Sequence, residues 1–401
     1  MITLSSAYRS DKIRLTIAVF GVGCRGIVDL VVLSVTINIE SLATSNALSR
    51  TTENGMSSVI QTSPMAFAAS ARERIEAYVA GRESVRKGKI TALTPDASTR
   101  EYFRIPWEKG TAVAAVYPEP FDESIHPYLD VTRLFLECDL PVPKVYDASG
   151  ETGIIVQEDL GSRQLYQVFE EASEEERETL LEEAIDIIAR IQAATKRAIE
   201  RDSIVSRLAF DEAKLMWELN FFFEHYFGSY RKEELTHGQT AELKAELNDV
   251  AAELSACPRV LCHRDYHTAN LMVDKQNAIR IVDHQDARMG PASYDLVSLL
   301  MDRQPAPPSL AEVRTHRLFL LDARRRCGLE AIDPDDFSKE FRLMTIQRGL
   351  KAVGTFTCQT AVYGRGVFYE RHIRPTFLIV LQAAEWLERF PVLQKMIKDR
   401  I

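Results

Sequence analysis

Apolar residues along this chain recur with two different periods, and the change from one to the other divides it into a strand-rich part and a helical part. From Ala69 to about Glu83, Ile75, Tyr78 and Val79 return at helical spacing among Arg72 and Glu73, which predicts a short amphipathic helix. Three short β-rich runs follow, Ile90 to Leu93, Arg100 to Ile105 and Thr111 to Tyr117. They are separated by Thr94-Pro95-Asp96-Ala97-Ser98 and Pro106-Trp107-Glu108-Lys109-Gly110, whose Pro, Gly and small polar residues suit turns. Helical spacing returns from Ile125 to Asp139 through Tyr128, Val131, Leu134, Phe135 and Cys138, and two more strands are expected around Lys144 to Tyr146 and Gly153 to Gln157. Five strands with one inserted helix thus make a small lobe over 66–158. Glu158-Asp159-Leu160-Gly161 then suits a hinge, although an ordinary strand-to-helix turn has the same backbone. Beyond it, Glu174 to Lys196 carries Leu180, Leu181, Ala184, Ile187, Ile188 and Ile191 on one face, and Asp211 to Phe227 is rich in aromatic residues. Further helices are expected near Tyr294 to Asp302, Leu310 to Cys327, Pro334 to Thr357 and Ile373 to Phe390. The pattern predicts an α+β chain with a five-stranded antiparallel small lobe and a mostly helical lobe over 159–401.

The first 65 residues fit neither lobe. Ile13 to Ile39 is largely apolar, but Arg14, Arg25 and Asp29 interrupt it, so stable membrane insertion is not expected. Gly21-Val22-Gly23-Cys24-Arg25-Gly26 matches a dinucleotide-binding pattern, yet no complete set of alternating strands and helices fits before residue 70. Lys12 and Arg14 before a short apolar core also resemble a weak signal peptide. The expectation for 1–65 is a non-catalytic, poorly ordered extension, with Met56 and Met65 as alternative starts.

Composition narrows the classes. A chain of 401 residues, 46% hydrophobic and 27% charged, can bury sizeable cores in two or three lobes. A formal net charge of -9 argues against a nucleic-acid partner. Cysteines 24, 138, 257, 262, 327 and 358 include no C-x-x-C pair, which suits reduced thiols in the cytosol.

The chemistry concentrates in Cys262-His263-Arg264-Asp265-Tyr266-His267-Thr268-Ala269-Asn270, followed by Asp283 in Ile281-Val282-Asp283-His284-Gln285-Asp286. This is the H-R-D-x-x-x-x-N plus metal-Asp pattern of the kinase fold. Phosphoryl transfer needs a carboxylate to orient the attacking hydroxyl and oxygen ligands to hold Mg²⁺ against nucleotide phosphates. Asp265 suits the first role, and Asn270 and Asp283 the second. Leu271 to Val273 and Ile279 to Val282, joined by a polar turn, read as a hairpin that returns Asp283 beside Asn270. A buried, capping role for each residue alone is the ordinary alternative, and their order with the hairpin between them argues against it. Only 287–294 separates Asp286 from Asp295, and neither D-F-G nor A-P-E is present, so the acceptor is expected to be a small molecule rather than a peptide.

From about residue 70 to 395 the chain resembles the aminoglycoside phosphotransferase superfamily of small-molecule kinases. Asp96 to Arg104, Val156 to Gly161, His263 to His267, Val282 to Ala287, Gly290 to Leu296 and Gln347 to Lys351 resemble the bacterial N-acetylmuramate/N-acetylglucosamine anomeric kinases of cell-wall recycling. The resemblance implies a bilobal protein-kinase-like fold and transfer of phosphate from ATP, with Mg²⁺, to the C1 hydroxyl of a free amino sugar. It implies that Asp265 orients or accepts the hydroxyl proton, that Asn270 and Asp283 hold the metal, and that His263 and Arg264 support the loop. Asp286 would bind a second ion, directly or through water, or cap the next turn. Asp295 would brace the catalytic loop, with simple N-capping as the alternative.

The phosphate side departs from the usual kinase pattern, since the first strands enclose no glycine-rich loop and Thr111 to Tyr117 contains no lysine. Ser98, Thr99, Arg100 and Arg104 are the candidates to meet phosphates, and backbone groups of Glu158 and Leu160 to meet the adenine. For the acceptor, Arg348 and Lys351 share a helix face, and Glu218, His225 and His267 are further candidates; a solvated basic face and packed histidines are the ordinary alternatives. A cytoplasmic monomer acting on a small sugar is expected. Another small-hydroxyl kinase, of aminoglycoside, choline or homoserine type, and a nucleotide-binding pseudokinase scaffold remain as alternatives.

Overall fold

The computed structural model describes residues 69–82, 88–93, 99–108 and 110–401, and the backbone of 12–23 and 27–38. It divides into two compact units, one of residues 1–123 with 146–159, the other of 124–145 with 160–401.

In the first unit, β1 (Lys12–Gly23) and β2 (Ile27–Asn38) pair antiparallel, with Lys12 opposite Asn38 and Gly23 opposite Ile27. Gly21 and Gly23 therefore lie in a hairpin strand, not at the strand-to-helix turn a dinucleotide site requires. The remainder of the expectation for 1–65 lies outside the described residues. Helix α1 (Ala71–Ala80) begins at a capping box, the Ser70 side chain accepting from Glu73 N–H while the Glu73 carboxylate accepts from Ser70 N–H at 2.8 Å.

The expected antiparallel sheet is present: β3 (Thr91–Leu93), β4 (Glu101–Trp107), β5 (Gly110–Val116), β6 (Val145–Ser149) and β7 (Ile154–Glu158), in the order β3-β4-β5-β7-β6. Alternation puts Phe103, Ile105, Ala112, Ala114, Ile154 and Val156 on one face, where they pack with Ile75 and Tyr78 of α1. Arg74 ties helix to sheet by donating to the carbonyls of Thr152 at 2.9 Å and Tyr117 at 2.6 Å. Strand β4 runs through Pro106 and Trp107, which the sequence suggests as loop. β3 pairs only with Tyr102 to Arg104, so Pro106 meets no strand on that side and its missing N–H breaks no ladder there.

The second unit contains α2 (Pro127–Glu137), α3 (Leu165–Glu171), α4 (Glu174–Ala193), α5 (Thr195–Glu200), α6 (Glu212–Phe222) and α7 (His237–Ala256). The strands β8 (Arg259–Cys262), β9 (Leu271–Val273), β10 (Ile279–Ile281) and β11 (Arg288–Pro291) follow. It closes with α8 (Tyr294–Met301), α9 (Leu310–Arg326), α10 (Pro334–Ala361), α11 (Gly366–Tyr369), α12 (Ile373–Trp386) and α13 (Pro391–Lys398). The aromatic-rich helix changes winding after Phe222, continuing as a π-helix over Phe223–Arg231.

Helix α2 corrects the continuous 66–158 lobe. Its apolar face, Val131, Leu134 and Phe135, joins the large core with Leu140 and Val142, and Pro141 O accepts from Ile281 N–H at 2.8 Å. The spine of this unit is α10. Asp333 caps its start, accepting from Asp335 N–H at 2.9 Å with Pro334 as first helical residue. Where α10 meets α6, a Cβ on Gly354 would sit 2.9 Å from Phe222 Cα, so only glycine allows that approach. Among the described residues, no helix is long and apolar enough to cross a membrane.

Candidate active site

Strand β8 pairs with β11, Cys262 opposite Arg288, and delivers the chain into the loop His263 to His267. Beyond it, β9 and β10 form the expected hairpin, with Leu271 opposite Ile281. Its turn is built locally: the Asp274 side chain accepts from Gln276 N–H at 2.9 Å and Ala278 N–H at 3.0 Å, and Asn277 takes a left-handed φ of 60°. The return sets Val282 N–H on Asn270 O at 3.1 Å. It also brings the Asn270 amide nitrogen within 3.4 Å of Asp283 Oδ2, while Gln285 Nε2 holds Asp283 Oδ1 at 2.8 Å.

The loop is braced from several sides. Arg264 has φ 86°, a left-handed conformation that costs a residue with a Cβ on the order of 1–3 kcal/mol. Asp295, fully buried at the start of α8, accepts from His263 N–H at 2.7 Å and Arg264 N–H at 3.0 Å. Burial raises its pKa, against the opposing influence of His263, its N–H, and the Arg264 N–H. From α10, Arg348 donates to Arg264 O at 2.9 Å and Ser298 Oγ at 2.6 Å, its guanidinium lying over the Tyr294 ring. His263 Nε2 lies 3.0 Å from Val282 O, and Tyr266 OH donates to Ala184 O at 2.8 Å.

Asp265 is 4% exposed and sits between cations. Lys351 Nζ lies 3.7 Å from Oδ1 and an Arg264 nitrogen 3.8 Å from Oδ2. The Asn270 amide donates to Asp265 O at 2.9 Å, tying carboxylate and amide into one loop. Behind Lys351, buried Glu218 accepts from Gln347 Nε2 at 2.9 Å, with Lys214 Nζ 3.7 Å from its other oxygen. Burial works to raise the Glu218 pKa, but Lys351, Lys214 and Arg264 outweigh it and hold the carboxyl below its ordinary value. Burial pushes the Lys351 ammonium down to about 8, against the pull of Glu218 and Asp265.

The structure thus joins Asp265, Asn270, Asp283, Lys351 and Glu218 through His263, Arg264, Asp295 and Arg348. Arg348 serves the frame, giving one N–H to Arg264 O and another to Ser298 Oγ. Asp286 pairs with Arg264 at 3.1 Å rather than capping a turn. His267 is buried in the loop, its N–H on Asp265 O at 3.0 Å. His225, on the π-helix, lies 3.2 Å from Ser229 Oγ with its ring against Phe221.

In the first unit, Ser98 lies outside the described residues. Thr99 is exposed, and the Arg100 guanidinium lies 5.7 Å from the Tyr102 ring centroid and 5.6 Å from that of Tyr117. Arg104 forms a two-point pair with Asp159, at 2.7 and 2.9 Å, and Thr111 Oγ1 donates to the same carboxylate at 2.6 Å. A phosphate would have to compete with Asp159 for that guanidinium. Glu158, half-buried, ends β7 opposite Ala112, and half-buried Leu160 begins the next segment of the second unit.

Among the described residues no three His, Cys, Asp or Glu side chains converge as a metal cage. The Asn270–Asp283 pair still fits Mg²⁺, which takes one or two protein oxygens and completes its shell with phosphates and water. Sequence reasoning missed Asp159, Gln285, Gln347, Lys214 and Ser298. Asp159, Gln285 and Gln347 sit inside motifs already singled out; nothing local marks Lys214 and Ser298.

Residues 89–329 match the phosphotransferase enzyme family (APH). The chain is 32% identical over 276 residues to the N-acetylmuramate/N-acetylglucosamine kinase of Neisseria meningitidis serogroup B, covering 67% of this chain and 77% of that protein. It is 29% identical over 286 residues to the Pseudomonas aeruginosa protein of the same name, covering 70% and 80%. A choline/ethanolamine kinase family protein from Mesorhizobium loti shares the fold, with a TM-score of 0.50 at 15% identity over 82% of this chain and 98% of that one.

Proposed function

The chain belongs to the phosphotransferase enzyme family, and from that premise we propose that it transfers the γ-phosphoryl group of ATP to the anomeric C1 hydroxyl of N-acetylmuramate or N-acetylglucosamine. A kinase of small molecules follows from the family; the sugar rests on the relatives' names. The observation that carries the kinase reading is the catalytic loop, in which Asp295 and Arg348 hold the backbone leading into a nearly buried Asp265, with Asn270 and Asp283 beside it.

Asp265 would orient the C1 hydroxyl and take its proton; an anomeric hydroxyl is more acidic than an ordinary alcohol, which suits a carboxylate base. Asn270 and Asp283 would hold Mg²⁺, which supplies charge neutralisation at the phosphates when bound. The cations Lys351 and Arg264 hold the Asp265 carboxylate in place, and Lys351 is the side chain best placed to reach the sugar or a lactyl carboxylate. Glu218, His225 and His267 complete the acceptor set, and Thr99, Arg100 and the backbone of Glu158 and Leu160 the nucleotide set. Such an enzyme needs a compartment supplied with ATP, which favours the cytoplasm; the role in cell-wall recycling rests on the resemblance to the amino-sugar anomeric kinases alone.

The test is ADP release by the full chain with Mg-ATP on N-acetylmuramate, N-acetylglucosamine, glucose, kanamycin and choline, with Asp265→Asn in parallel. The expected result is turnover on the N-acetyl sugars, an acid-labile C1 phosphate, and a loss of roughly 10²–10⁴ in the variant. Turnover confined to kanamycin or choline would overturn the sugar reading. An unaffected Asp265→Asn would overturn the assigned base.

A further inference from the structure

Helix α10 carries the catalytic frame on one side and an unexplained pair of charges on the other. Arg342 precedes Lys351 by nine residues, which at about 100° per residue places the two side chains on roughly opposite faces. Arg342 is 4% exposed, and Arg317, from the neighbouring α9, is 8% exposed. The Nε atom of each is buried without an acceptor, and no hydrogen bond or ion pair joins either side chain to another described residue. Long charged side chains this deeply buried are ordinarily paired.

What surrounds them is aromatic and basic. The Arg342 guanidinium lies 4.3 Å from the Trp386 ring centroid and that of Arg317 5.7 Å from Phe341. Stacking covers the faces of the guanidinium planes, but their N–H donors lie in the plane, where a ring offers no acceptor. The two charges also oppose each other: burial first, then Arg317, pushes the Arg342 pKa down to about 10. Burial and then the exposed Arg314 lower that of Arg317, with the exposed Asp335 acting in the opposite sense. Trp386, at 44% exposed, leaves the aromatic wall open to solvent.

We propose that Arg317 and Arg342, with Arg314 at the rim, form a second ligand site, separate from the catalytic loop, for a small dianion of the phosphate type. Two guanidinium forks match the geometry of phosphate oxygens, and two uncompensated charges match its charge.

The experiment is thermal unfolding of the full chain titrated with inorganic phosphate at constant ionic strength, with acetate and polyglutamate as parallel titrants, on wild type, Arg342→Met and Arg317→Met. Methionine keeps the packing stem and removes the charge. Wild type is expected to gain roughly 5 °C at a hundredfold excess of phosphate over Kd, the gain rising with the logarithm of phosphate concentration. Both variants should lose that gain, melt no lower than wild type without phosphate, and keep wild-type turnover. Arg317→Lys carries the same comparison should a methionine variant not fold. No gain in wild type, the same gain in the variants, or an equal gain with acetate would overturn the site. A response confined to polyglutamate would replace the small dianion by an acidic protein partner. Lost turnover in a folded Arg342→Met would overturn its separation from the catalytic loop.

Discussion

Replacing Asp295 is expected to damage catalysis and stability together, because this carboxylate holds a strained loop from behind. It accepts buried N–H groups of His263 and Arg264 at 2.7 and 3.0 Å. Hydrogen bonds to a charged group contribute about 1.5–3 kcal/mol each, so two supply roughly 3–6 kcal/mol. Keeping a carboxylate fully buried offsets part of this, as its raised pKa shows. Asp295→Ala should therefore lose about 2–4 kcal/mol in urea unfolding. The catalytic consequence follows from Arg264, whose φ of 86° persists only while Asp295 grips its N–H and Arg348 its carbonyl. With one grip removed the backbone relaxes and Asp265 moves with it; a displacement of about 1 Å costs on the order of 10² in kcat. Asp295→Asn should resemble the alanine variant, since its amide can accept one N–H but turns a donor toward the other. The assay pairs urea unfolding with ADP release. Either variant losing less than about 0.5 kcal/mol while keeping full turnover would refute the reasoning.

Lys351 should make stability depend on alkaline pH. Its ammonium is lowered from 10.5 to about 8 in the fold, so between those values the unfolded chain binds more protons and stability rises with pH, by up to about 3 kcal/mol. The rise should vanish in Lys351→Met, and equal slopes in the two proteins would exclude it. Glu218→Leu strips Lys351 and Lys214 of their buried counter-charge and should cost roughly 3–5 kcal/mol by chemical denaturation. Chelation with EDTA should abolish phosphate transfer and added Mg²⁺ restore it; Asp283→Asn should raise the Mg²⁺ needed for half-maximal rate at least tenfold, and an unchanged requirement would remove Asp283 from the metal.

Much of the site is local in the chain, and that part is legible in the order of its residues. The succession of Asp265, Asn270 and Asp283, and the hairpin that folds the last back on the second, depend on strand runs a few residues long. Asp274 and Asn277 close the turn through hydrogen bonds to their near neighbours. The five strands and most of the longer helices follow from period and punctuation, though not α7 (His237–Ala256), and the departure at Pro106 is explained by where β3 stops. Contacts between residues distant in the chain are not legible in this way. Arg104 reads as a strand arginine free to meet phosphate until folding places Asp159 against it, and Arg348 as a substrate ligand until α10 packs on the loop. Helix α2 reads as part of the small lobe until Thr132 meets His284 and Phe135 enters the larger core. Which groups are candidates for the chemistry is thus written in the linear chain, because their spacing is covalent. Which charges are spent on one another, as at Arg104 and Lys351, and which are left over, as at Arg317 and Arg342, is settled only when the helices pack. Partners and burial are properties of packed helices, and no single segment contains them.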